Sequence, residues 1–559
     1  MHRTFVTSSQ RRQRELDGFW DIVLDPQDRG LDEQWQLALP AGRKAWVPGA
    51  WNTLAGWLNY EGVAWYRRRF TIGSCQAVRI VFGAVTQQAN VWLDGEPLGQ
   101  HYGGSLPFSF LAQLAGGEHE LVVRVDNRHD LSTTIPSAHL DWFRYGGITR
   151  PVLVEELDGP GHVASLRLVP DLVDGQGQLR VRAELLNLTD RVLQADYALL
   201  IDGQVVRKAD LRLGPGDSEV LGLSVRLDNV EPWSPESPRL YTVALRFAGD
   251  ELIERTGFRH VSVQGRQILL NGQPIFVQGV NRHEDHPEWG PALPEHLMAR
   301  DLDLIQDLGA NAVRGSHYPN DPRFLDLCDE RGVLFWEEIP LWQFSAEQMA
   351  NGLLADRAAA MMWAMVERDT CHPSIIAWSM SNECETDTEA VRAVLEDLRE
   401  TTLQVDDTRL ITYASHRAER DVCFDLADVA CVNAYYGWYR HDLTWDAFLD
   451  RMTAYIGDKP LIVSEFGAGA LYGYRTAEED VAWSEEYQRK VLTDCVRLFR
   501  ERGDCAGFFI WQFCDTRTDR ADDGHNVLMR PRSMNNKGIV DEYRRQKLAF
   551  AALRSILRG

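Results

Sequence analysis

Long apolar runs, paired cysteine motifs and low-complexity tracts are all missing from this chain of 559 residues. No stretch approaches the roughly 18 consecutive apolar residues of a membrane-spanning helix, and the first residues lack the apolar core of a secretory signal. The nine cysteines are odd in number, scattered and never spaced as Cys-x-x-Cys. Such cysteines are typical of free thiols in a reducing compartment. We therefore expect no membrane association, no disulfide framework and a cytoplasmic location.

Positive charge is scarce relative to negative charge. The chain has 59 lysines and arginines against 82 aspartates and glutamates, which gives a formal net charge of −23. This balance argues against nucleic acids and anionic membranes as partners. It also makes any cation inside a pocket informative, because the overall field does not attract an anionic substrate.

The first half of the chain contains the sequence pattern of β-sheets. A chain of 559 residues is too long for one hydrophobic core and predicts two to four domains. Residues 19–24, 64–70, 89–93 and 121–125 form short strand-like runs, and Asp94-Gly95 is a tight-turn signal. We predict a β-sandwich over residues 1–158. Strand-like runs at 179–185 and 240–245 predict a second, immunoglobulin-like sandwich over residues 159–262, after a linker at residues 159–161.

After Gln264 the pattern changes, and apolar runs alternate with amphipathic helical segments such as 295–308, 388–403 and 484–502. Eight strand–helix units in this length predict a (β/α)8 barrel over residues 263–559. The predicted barrel strands are residues 275–280, 311–314, 333–336, 375–380, 410–413, 429–433, 461–464 and 508–512.

Two glutamates follow predicted barrel strands. Glu383 comes after strand four and Glu465 after strand seven, at the end of the barrel where active sites of this fold lie. Two carboxyl groups across one pocket can act as acid/base and nucleophile on a glycosidic bond. Further polar and aromatic side chains fall at strand ends and predict one convergent pocket: His283, Arg314, Tyr435, Tyr436 and Trp511.

Three motifs resemble those of glycoside hydrolase family 2: residues 281–284 (Asn-Arg-His-Glu), 379–383 (Ser-Met-Ser-Asn-Glu) and 464–467 (Ser-Glu-Phe-Gly). The order of jelly-roll-like sugar-binding sandwich, immunoglobulin-like sandwich and barrel also resembles that family. The resemblance implies Glu383 as general acid/base and Glu465 as nucleophile, with retention of the β configuration. A raised pKa is then expected for the acid, while Arg314 and the tyrosines keep the nucleophile ionised. Asn382 is expected to hydrogen-bond the sugar 2-hydroxyl.

Residues 535–538 (Asn-Asn-Lys-Gly) resemble the Asn-x-Lys motif of the β-glucuronidases within that family, which implies that Asn535 and Lys537 bind the C6 carboxylate of glucuronic acid. An ammonium beside an amide donor is a suitable carboxylate receptor. Other residues resemble further substrate contacts of that group: Asp141, His283, Tyr435, Tyr439 and Trp511.

The sequence departs from this pattern in three places. The arginine that usually precedes the Asn-x-Lys motif corresponds to either Arg530 or Arg532. Cys384 follows the acid where proline is usual. The segment after strand three, residues 337–355, is short, so we expect no long loop over the pocket and no preference for small leaving groups from such a loop.

Several other clusters have simpler interpretations. Residues 283–286 (His-Glu-Asp-His) lack the HExxH spacing of a zinc site, so a sugar contact or a loop role is expected. Glu337 and Glu338 are expected to tune the pocket or cap the next segment, and His317 to be structural. We expect no metal or cofactor.

The sequence thus predicts a retaining exo-β-glucuronidase that acts on uronic-acid glycosides, with a homodimer or homotetramer implied by the resemblance. A β-galacturonidase remains open, because nothing in one sequence distinguishes the C4 configuration of the sugar. A β-galactosidase is disfavoured, because an unpaired buried Lys537 would be unfavourable beside a neutral sugar. A catalytically inactive carbohydrate-binding protein is the remaining alternative, and both glutamates argue against it.

Overall fold

The computed structural model describes residues 4, 5, 8, 10–74, 76–518 and 529–559. Two β-sandwiches precede a closed parallel barrel, so the predicted fold class is confirmed. No helix in these ranges combines the length and apolar character needed to span a membrane.

The first sandwich is built from antiparallel sheets. A six-stranded sheet has the order β3-β2-β5-β11-β8-β9, and a four-stranded sheet has the order β1-β13-β6-β10. Asp94 and Gly95 have φ values of 53° and 84° and join β8 to β9, so the predicted tight turn is present. The strands described in this sandwich are β1 Arg12–Glu15, β2 Gly18–Asp25, β3 Arg43–Val47, β4 Gly49–Ala50, β5 Val63–Ile72, β6 Gln76–Phe82, β7 Val85–Thr86, β8 Gln88–Leu93, β9 Glu96–Tyr102, β10 Phe108–Leu114, β11 Gly117–Asp126, β12 Gly147–Ile148 and β13 Val152–Leu157.

The second sandwich packs a three-stranded sheet, β14-β15-β18, against a four-stranded sheet, β17-β16-β19-β20. In β15 the side chains of Leu179, Val181 and Ala183 are buried, whereas Arg180 and Arg182 between them are exposed. This alternation is the two-residue period of a sheet with one face in a core. The strands are β14 Gly161–Val173, β15 Gln176–Asn187, β16 Leu193–Ile201, β17 Gln204–Leu213, β18 Ser218–Leu227, β19 Tyr241–Phe247 and β20 Asp250–Thr256.

Eight parallel strands close the barrel, and each begins and ends within about two residues of its predicted position. Their residues are almost all buried, as expected for strands covered on both faces. One detail of the prediction is wrong: Glu465 lies inside the seventh strand instead of after it, whereas Glu383 does follow the fourth strand directly. The strands are β24 Val277–Arg282, β25 Ala312–Gly315, β26 Leu334–Glu338, β27 Ile375–Asn382, β28 Leu410–Ser415, β29 Ala430–Asn433, β30 Leu461–Phe466 and β31 Gly507–Ile510.

Amphipathic helices surround the barrel strands. The first matches its predicted bounds and ends at Gly309, whose φ of 93° is the left-handed conformation of a glycine C-cap. The helices described are α1 Glu295–Leu308, α2 Pro322–Arg331, α3 Ala346–Met349, α4 Gly352–Asp369, α5 Glu389–Val405, α6 Trp445–Ile456, α7 Glu485–Glu501 and α8 Leu548–Arg558. Two further short strands, β32 Thr516–Arg517 and β33 Met534–Asn535, pair after the barrel closes.

A small sheet closes the N-terminal end of the barrel. It consists of β21 Val261–Gln264, β22 Gln267–Leu270 and β23 Gln273–Ile275. Ile268 and Leu270 share one buried cluster with Val277, Ala312 and Leu334 from the starts of barrel strands. The first sandwich packs at the other end, where Tyr145 donates to Asp285 at 2.7 Å. The C-terminal mouth is therefore the end of the barrel that is available for a site.

Candidate active site

A cavity of about 480 Å³ lies at the C-terminal mouth of the barrel. Nine of the predicted site residues line it, and the structure brings them together from five barrel strands, the first sandwich and the C-terminal segment. The lining consists of Asp141, Trp142, His283, His317, Trp342, Gln343, Glu383, Tyr435, Tyr439, Glu465, Trp511, Arg530 and Lys537.

Glu465 is held by two donors on separate oxygens. Arg314 donates from Nη1 to Oε1 at 2.8 Å, and the Tyr435 hydroxyl donates to Oε2 at 2.7 Å. Burial raises the pKa of Glu465 to about 8; Arg314 and Tyr435 act to lower this pKa, and the neighbouring Glu383 carboxylate acts to raise it.

Glu383 has a different environment. Its φ of 53° turns the chain sharply as it leaves the fourth strand. Neutral amides donate to both carboxylate oxygens: Gln343 to Oε2 and Asn433 to Oε1, each at 2.8 Å. The Nδ1 atom of His416 lies 3.7 Å from Oε2. No arginine of the described residues contacts Glu383, in contrast to Glu465.

The electrostatics differ from the expectation that Arg314 and the tyrosines simply keep Glu465 ionised. The desolvation of Glu465 and the charge of Glu383 outweigh those donors, and the pKa is raised. Burial and the charge of Glu383 therefore favour the protonated form of Glu465 below about pH 8.

Arg314 is the centre of the buried polar network beneath the pocket. Its side chain is fully buried and contacts Glu338 at 3.0 Å as well as Glu465 at 2.8 Å. Burial alone would lower the pKa of Arg314, but the two carboxylates outweigh burial and raise it. Glu338 also accepts from Ser379 at 2.7 Å and contacts His317 at 2.8 Å, so it joins the network beneath the pocket.

The Asn382 amide has one orientation imposed on it. Its Oδ1 accepts from Arg314 Nη2 at 2.7 Å and from Asn433 Nδ2 at 3.1 Å. These two donors direct the Asn382 nitrogen away from them, and this buried Nδ2 has no hydrogen-bond partner among the described residues. A buried N–H group without a partner is costly, so it suits a ligand hydroxyl.

Lys537 is a buried cation in the pocket wall. Only 3% of the residue is exposed, its Nζ lies 3.5 Å from Asn535 Oδ1, and no carboxylate of the described residues is within ion-pair distance of it. Burial and the neighbouring Arg530 lower the pKa of Lys537. Burial would raise the pKa of Tyr439, but Lys537 and Arg530 outweigh it and lower this pKa, which reports a positive field.

Arg530 is paired with the first sandwich. Its Nε donates to Asp141 Oδ1 at 2.7 Å, its Nη2 donates to Oδ2, and Asn535 Nδ2 donates to Oδ2 at 3.0 Å. Arg532 lies outside the pocket, half exposed, with Glu542 at 3.2 Å. Of the two arginines that the sequence left open, Arg530 lies in the cavity wall.

Aromatic rings form the side of the pocket. The indole of Trp511 stacks on His317 at 5.1 Å and meets His283 edge-on at 5.5 Å. Burial lowers the pKa of both histidines, so both rings are neutral near neutral pH. Trp142 contacts Trp342 at 5.5 Å and completes the wall.

The His-Glu-Asp-His segment divides between the pocket and the domain contact. His283 lines the pocket, whereas Glu284 pairs with Arg150 at 3.0 Å and Asp285 accepts from Tyr145. Glu284 and Asp285 therefore have structural roles at the domain contact, whereas the sugar contact of His283 stays a prediction. One group of described side chains has metal-ligand spacing, namely Asp326, Asp329 and His372, and none of them lines the pocket.

Sequence reasoning missed five residues of the site: Trp142, Trp342, Gln343, Asn433 and His317, the last of which was expected to be structural and lines the pocket. Asn433 ends the sixth strand, so the strand-end rule could have found it. Trp342 and Gln343 lie in the short segment after the third strand, which was considered only for its length. Their positions depend on pairing with the end of the fourth strand, where Gln343 N donates to Asn382 O at 2.8 Å.

Three family models match consecutive parts of the chain. The sugar binding domain of glycosyl hydrolases family 2 matches residues 13–157, a second family 2 model matches residues 161–259, and the family 2 TIM barrel domain matches residues 261–557.

Similar proteins align with nearly the whole chain. A β-glucuronidase of Paenibacillus borealis is 26% identical over 604 residues, covering 98% of this chain and 96% of that protein. The structure of a family 2 β-galacturonidase from Eisenbergiella tayi has a TM-score of 0.92 at 36% identity, covering 100% of this chain and 98% of that one. A β-glucuronidase from an uncultured Clostridium has a TM-score of 0.88 at 27% identity, with 99% of each chain covered.

The barrel with its two carboxyl groups, the order of the three domains and these matches agree with one another. The chain belongs to glycosyl hydrolase family 2, and it is a glycoside hydrolase with a carbohydrate substrate.

Proposed function

We propose that this enzyme is a retaining exo-β-uronidase that removes terminal β-D-glucuronic acid, with Glu465 as nucleophile and Glu383 as general acid/base. The buried Lys537 carries the proposal, because it lies in the same cavity as the two glutamates and has no carboxylate partner among the described residues. Leaving such a charge beside a neutral sugar would be unfavourable, whereas the C6 carboxylate of a uronic acid compensates it.

The neighbours of Lys537 strengthen this interpretation. Arg530 is already neutralised by Asp141, so Lys537 is the cation left for the substrate. Asn535 donates its amide nitrogen to Asp141 and faces Lys537 with its oxygen. Because the chain as a whole carries a charge of −23, attraction of an anionic sugar depends on this local arrangement.

In the first step, Glu465 attacks the anomeric carbon while Glu383 protonates the leaving oxygen, so that a covalent glycosyl-enzyme forms. The Arg314 and Tyr435 donors stabilise the negative charge on Glu465 before the attack. The free N–H of Asn382 suits the sugar 2-hydroxyl, a contact that strengthens as the ring becomes oxocarbenium-like.

In the second step, Glu383 acts as a base on water, which attacks the same carbon and releases the sugar with its β configuration retained. The wall of the pocket is closely packed here, because the ring of Trp511 contacts the rings of His283 and His317. Neutral histidines at this position hydrogen-bond hydroxyls without adding charge to the pocket.

A β-galacturonide is the second candidate substrate. The β-galacturonidase of Eisenbergiella tayi is 36% identical to this chain, against 27% for the Clostridium β-glucuronidase. Both sugars have the C6 carboxylate, so the Lys537 argument applies equally to them, and they differ at the C4 hydroxyl alone.

The test compares initial rates on the p-nitrophenyl β-glycosides of glucuronic acid, galacturonic acid and galactose, with wild-type enzyme and with Lys537→Ala. We expect a uronide to be hydrolysed fastest, and Lys537→Ala to lower kcat/KM on uronides by about 100-fold or more, since a charge-assisted contact is worth roughly 1.5–3 kcal/mol or more when buried. The uronide with the higher rate then shows which configuration at C4 the enzyme prefers.

Arg532→Ala is the matched control, because this neighbouring arginine is exposed and outside the cavity. It should leave all three rates unchanged. A wild-type preference for the galactoside, together with no effect of Lys537→Ala, would refute the uronidase proposal and leave the family assignment intact.

We also propose a cytoplasmic homo-oligomer, a dimer or a tetramer. Seven cysteines of the described residues are buried free thiols, which suits a reducing compartment: Cys328, Cys384, Cys423, Cys431, Cys495, Cys505 and Cys514. Light scattering after gel filtration measures the assembly directly, and a monomer at micromolar concentration would contradict it.

A further inference from the structure

Glu383 lines two cavities. One is the sugar pocket; the other is a cleft of about 670 Å³ between the loops that follow the fifth and sixth barrel strands. We call this second cavity the loop cleft. It is lined by Glu383, Ser415, His416, Ala418, Val432, Asn433, Ala434, Tyr435, Tyr439, Arg440 and Phe448. Tyr435 and Tyr439 form the wall that both cavities share, whereas Glu465 and Lys537 belong to the sugar pocket alone.

The position of Glu383 decides which part of a substrate meets the loop cleft. A general acid must contact the oxygen of the leaving group. The leaving group therefore lies beside the acid, on the face of the anomeric carbon opposite the nucleophile. The sugar itself is bounded by the buried Lys537 and by the Asp141–Arg530 pair. The loop cleft therefore continues the substrate path beyond the scissile bond.

The chemistry of the loop cleft is mostly polar at its rim. His416 lies 3.7 Å from Glu383 and is one-third exposed. Arg440 donates to Asp442 through Nε and Nη2, at 3.2 and 2.9 Å, in an exposed pair, and its Nη1 makes no hydrogen bond to the described residues. Ser415 and Asn433 add a hydroxyl and an amide deeper in the cleft.

Apolar and aromatic side chains form one wall and the base of the loop cleft. Tyr439 is 42% exposed at the junction of the two cavities, and Phe448 is buried beneath the cleft. An aromatic face packs well against the C–H face of a sugar ring, while the hydroxyls at the edge of that ring can use the rim donors. The small side chains of Ala418 and Ala434 leave room for the ring.

We propose that the loop cleft is the leaving-group subsite and that it binds a second sugar residue, so that the natural substrate is the end of a glycan and not an aryl glycoside. Arg440 and His416 are then specificity-determining residues. This inference rests on the proposed function. An aryl leaving group would leave these exposed rim groups to water, whereas a sugar hydroxyl or carboxylate can hydrogen-bond them directly.

The test measures kcat/KM on two substrates with the same uronic acid, p-nitrophenyl β-D-glucuronide and β-D-glucuronosyl-galactose. In Arg440→Ala and in His416→Ala, the ratio of the disaccharide value to the nitrophenyl value should fall about tenfold, as expected for loss of one charged or strong hydrogen bond. Arg420→Ala, on the same loop as His416 but outside the cleft lining, should keep the wild-type ratio.

The outcomes separate the two proposals. If wild-type enzyme hydrolyses the nitrophenyl uronide but not the disaccharide, or if the ratio is unchanged in both cleft variants, the subsite assignment is wrong and the uronidase proposal stands. If no uronide is hydrolysed, the uronidase proposal is wrong, and the subsite assignment that depends on it fails too.

Discussion

Glu465 and Lys537 are both buried ionisable side chains of the pocket, and their hydrogen-bond partners differ. Glu465 has a guanidinium and a phenol hydroxyl on its two oxygens. Lys537 has an amide oxygen at 3.5 Å and two aromatic rings, Tyr439 and Tyr435, at 4.9 and 5.6 Å. The proposed nucleophile thus has its donors within the protein, whereas Lys537 has no carboxylate partner among the described residues, which fits the proposed division between catalysis and substrate recognition.

The proposed roles of the glutamates predict different dependences on the leaving group. In Glu383→Gln, kcat/KM should fall by about 100-fold or more on methyl β-D-glucuronide, which needs a proton donor, and far less on the p-nitrophenyl glycoside, which does not. In Glu465→Gln, both values should fall together by several orders of magnitude, because the nucleophile is required in either case. Equal losses on both substrates in Glu383→Gln would contradict its role as the acid.

The raised pKa of Glu465 also predicts the pH dependence of activity. Burial raises the pKa of Glu465 to about 8, so Glu465 is protonated below that pH and becomes the attacking carboxylate as pH rises. We therefore expect kcat/KM on p-nitrophenyl β-D-glucuronide to rise with pH up to about pH 8. The pKa of Lys537 is lowered, so Lys537→Gln is the control: it has no ammonium to titrate, and its kcat/KM should show the same rise at lower activity.

The ends of barrel strands and the short loops after them position the site. The fourth and seventh strands provide the two glutamates, and the second provides Arg314 beneath them. The short segment after the third strand provides Trp342 and Gln343. Its shortness is consistent with the expectation of an uncovered pocket, and the nearby loop cleft is where selection of the leaving group is proposed.

The small sheet at the opposite end of the barrel predicts a separation of stability from activity. Ile268 is 1% exposed in the cluster that closes the barrel. Ile268→Ala should lower the free energy of unfolding by about 2–5 kcal/mol, measured by chemical denaturation, with kcat/KM unchanged under native conditions. Val263→Ala, on the exposed face of the same sheet, should change stability by no more than about 0.5 kcal/mol. A loss of activity in folded Ile268→Ala would show that the two ends of the barrel are coupled.

Residues of two domains form the pocket. Asp141 and Trp142 come from the first sandwich and complete a site whose other lining residues belong to the barrel and the segment after it. Asp141 pairs with Arg530 across 389 positions in the chain. The sandwich therefore contributes directly to the sugar pocket.

The net charge of −23 predicts an unusual salt dependence. The overall field repels an anionic uronide, and salt screens this repulsion over a Debye length of about 10 Å at 0.1 M. The buried Lys537 contact is screened much less. We expect kcat/KM on the glucuronide to rise by about twofold from low to moderate ionic strength. A steep fall with salt would mean that exposed cations, and not Lys537, attract the substrate.

Much of this protein follows from the sequence by itself. The two-residue and helical periods determined the sandwiches, the eight barrel strands and the order of the domains, because burial of one face or two imposes those periods on local sequence. The strand ends identified Glu383, Glu465, Arg314, Tyr435 and Trp511, and family resemblance added Asp141 and Lys537. Tertiary structure decided what no local pattern contains: that Arg530 and not Arg532 lies in the pocket wall, that Gln343 and Asn433 donate to Glu383, and that burial raises the pKa of Glu465. These properties arise between residues distant in the chain, where desolvation and hydrogen-bond partners depend on which side chains the fold brings together.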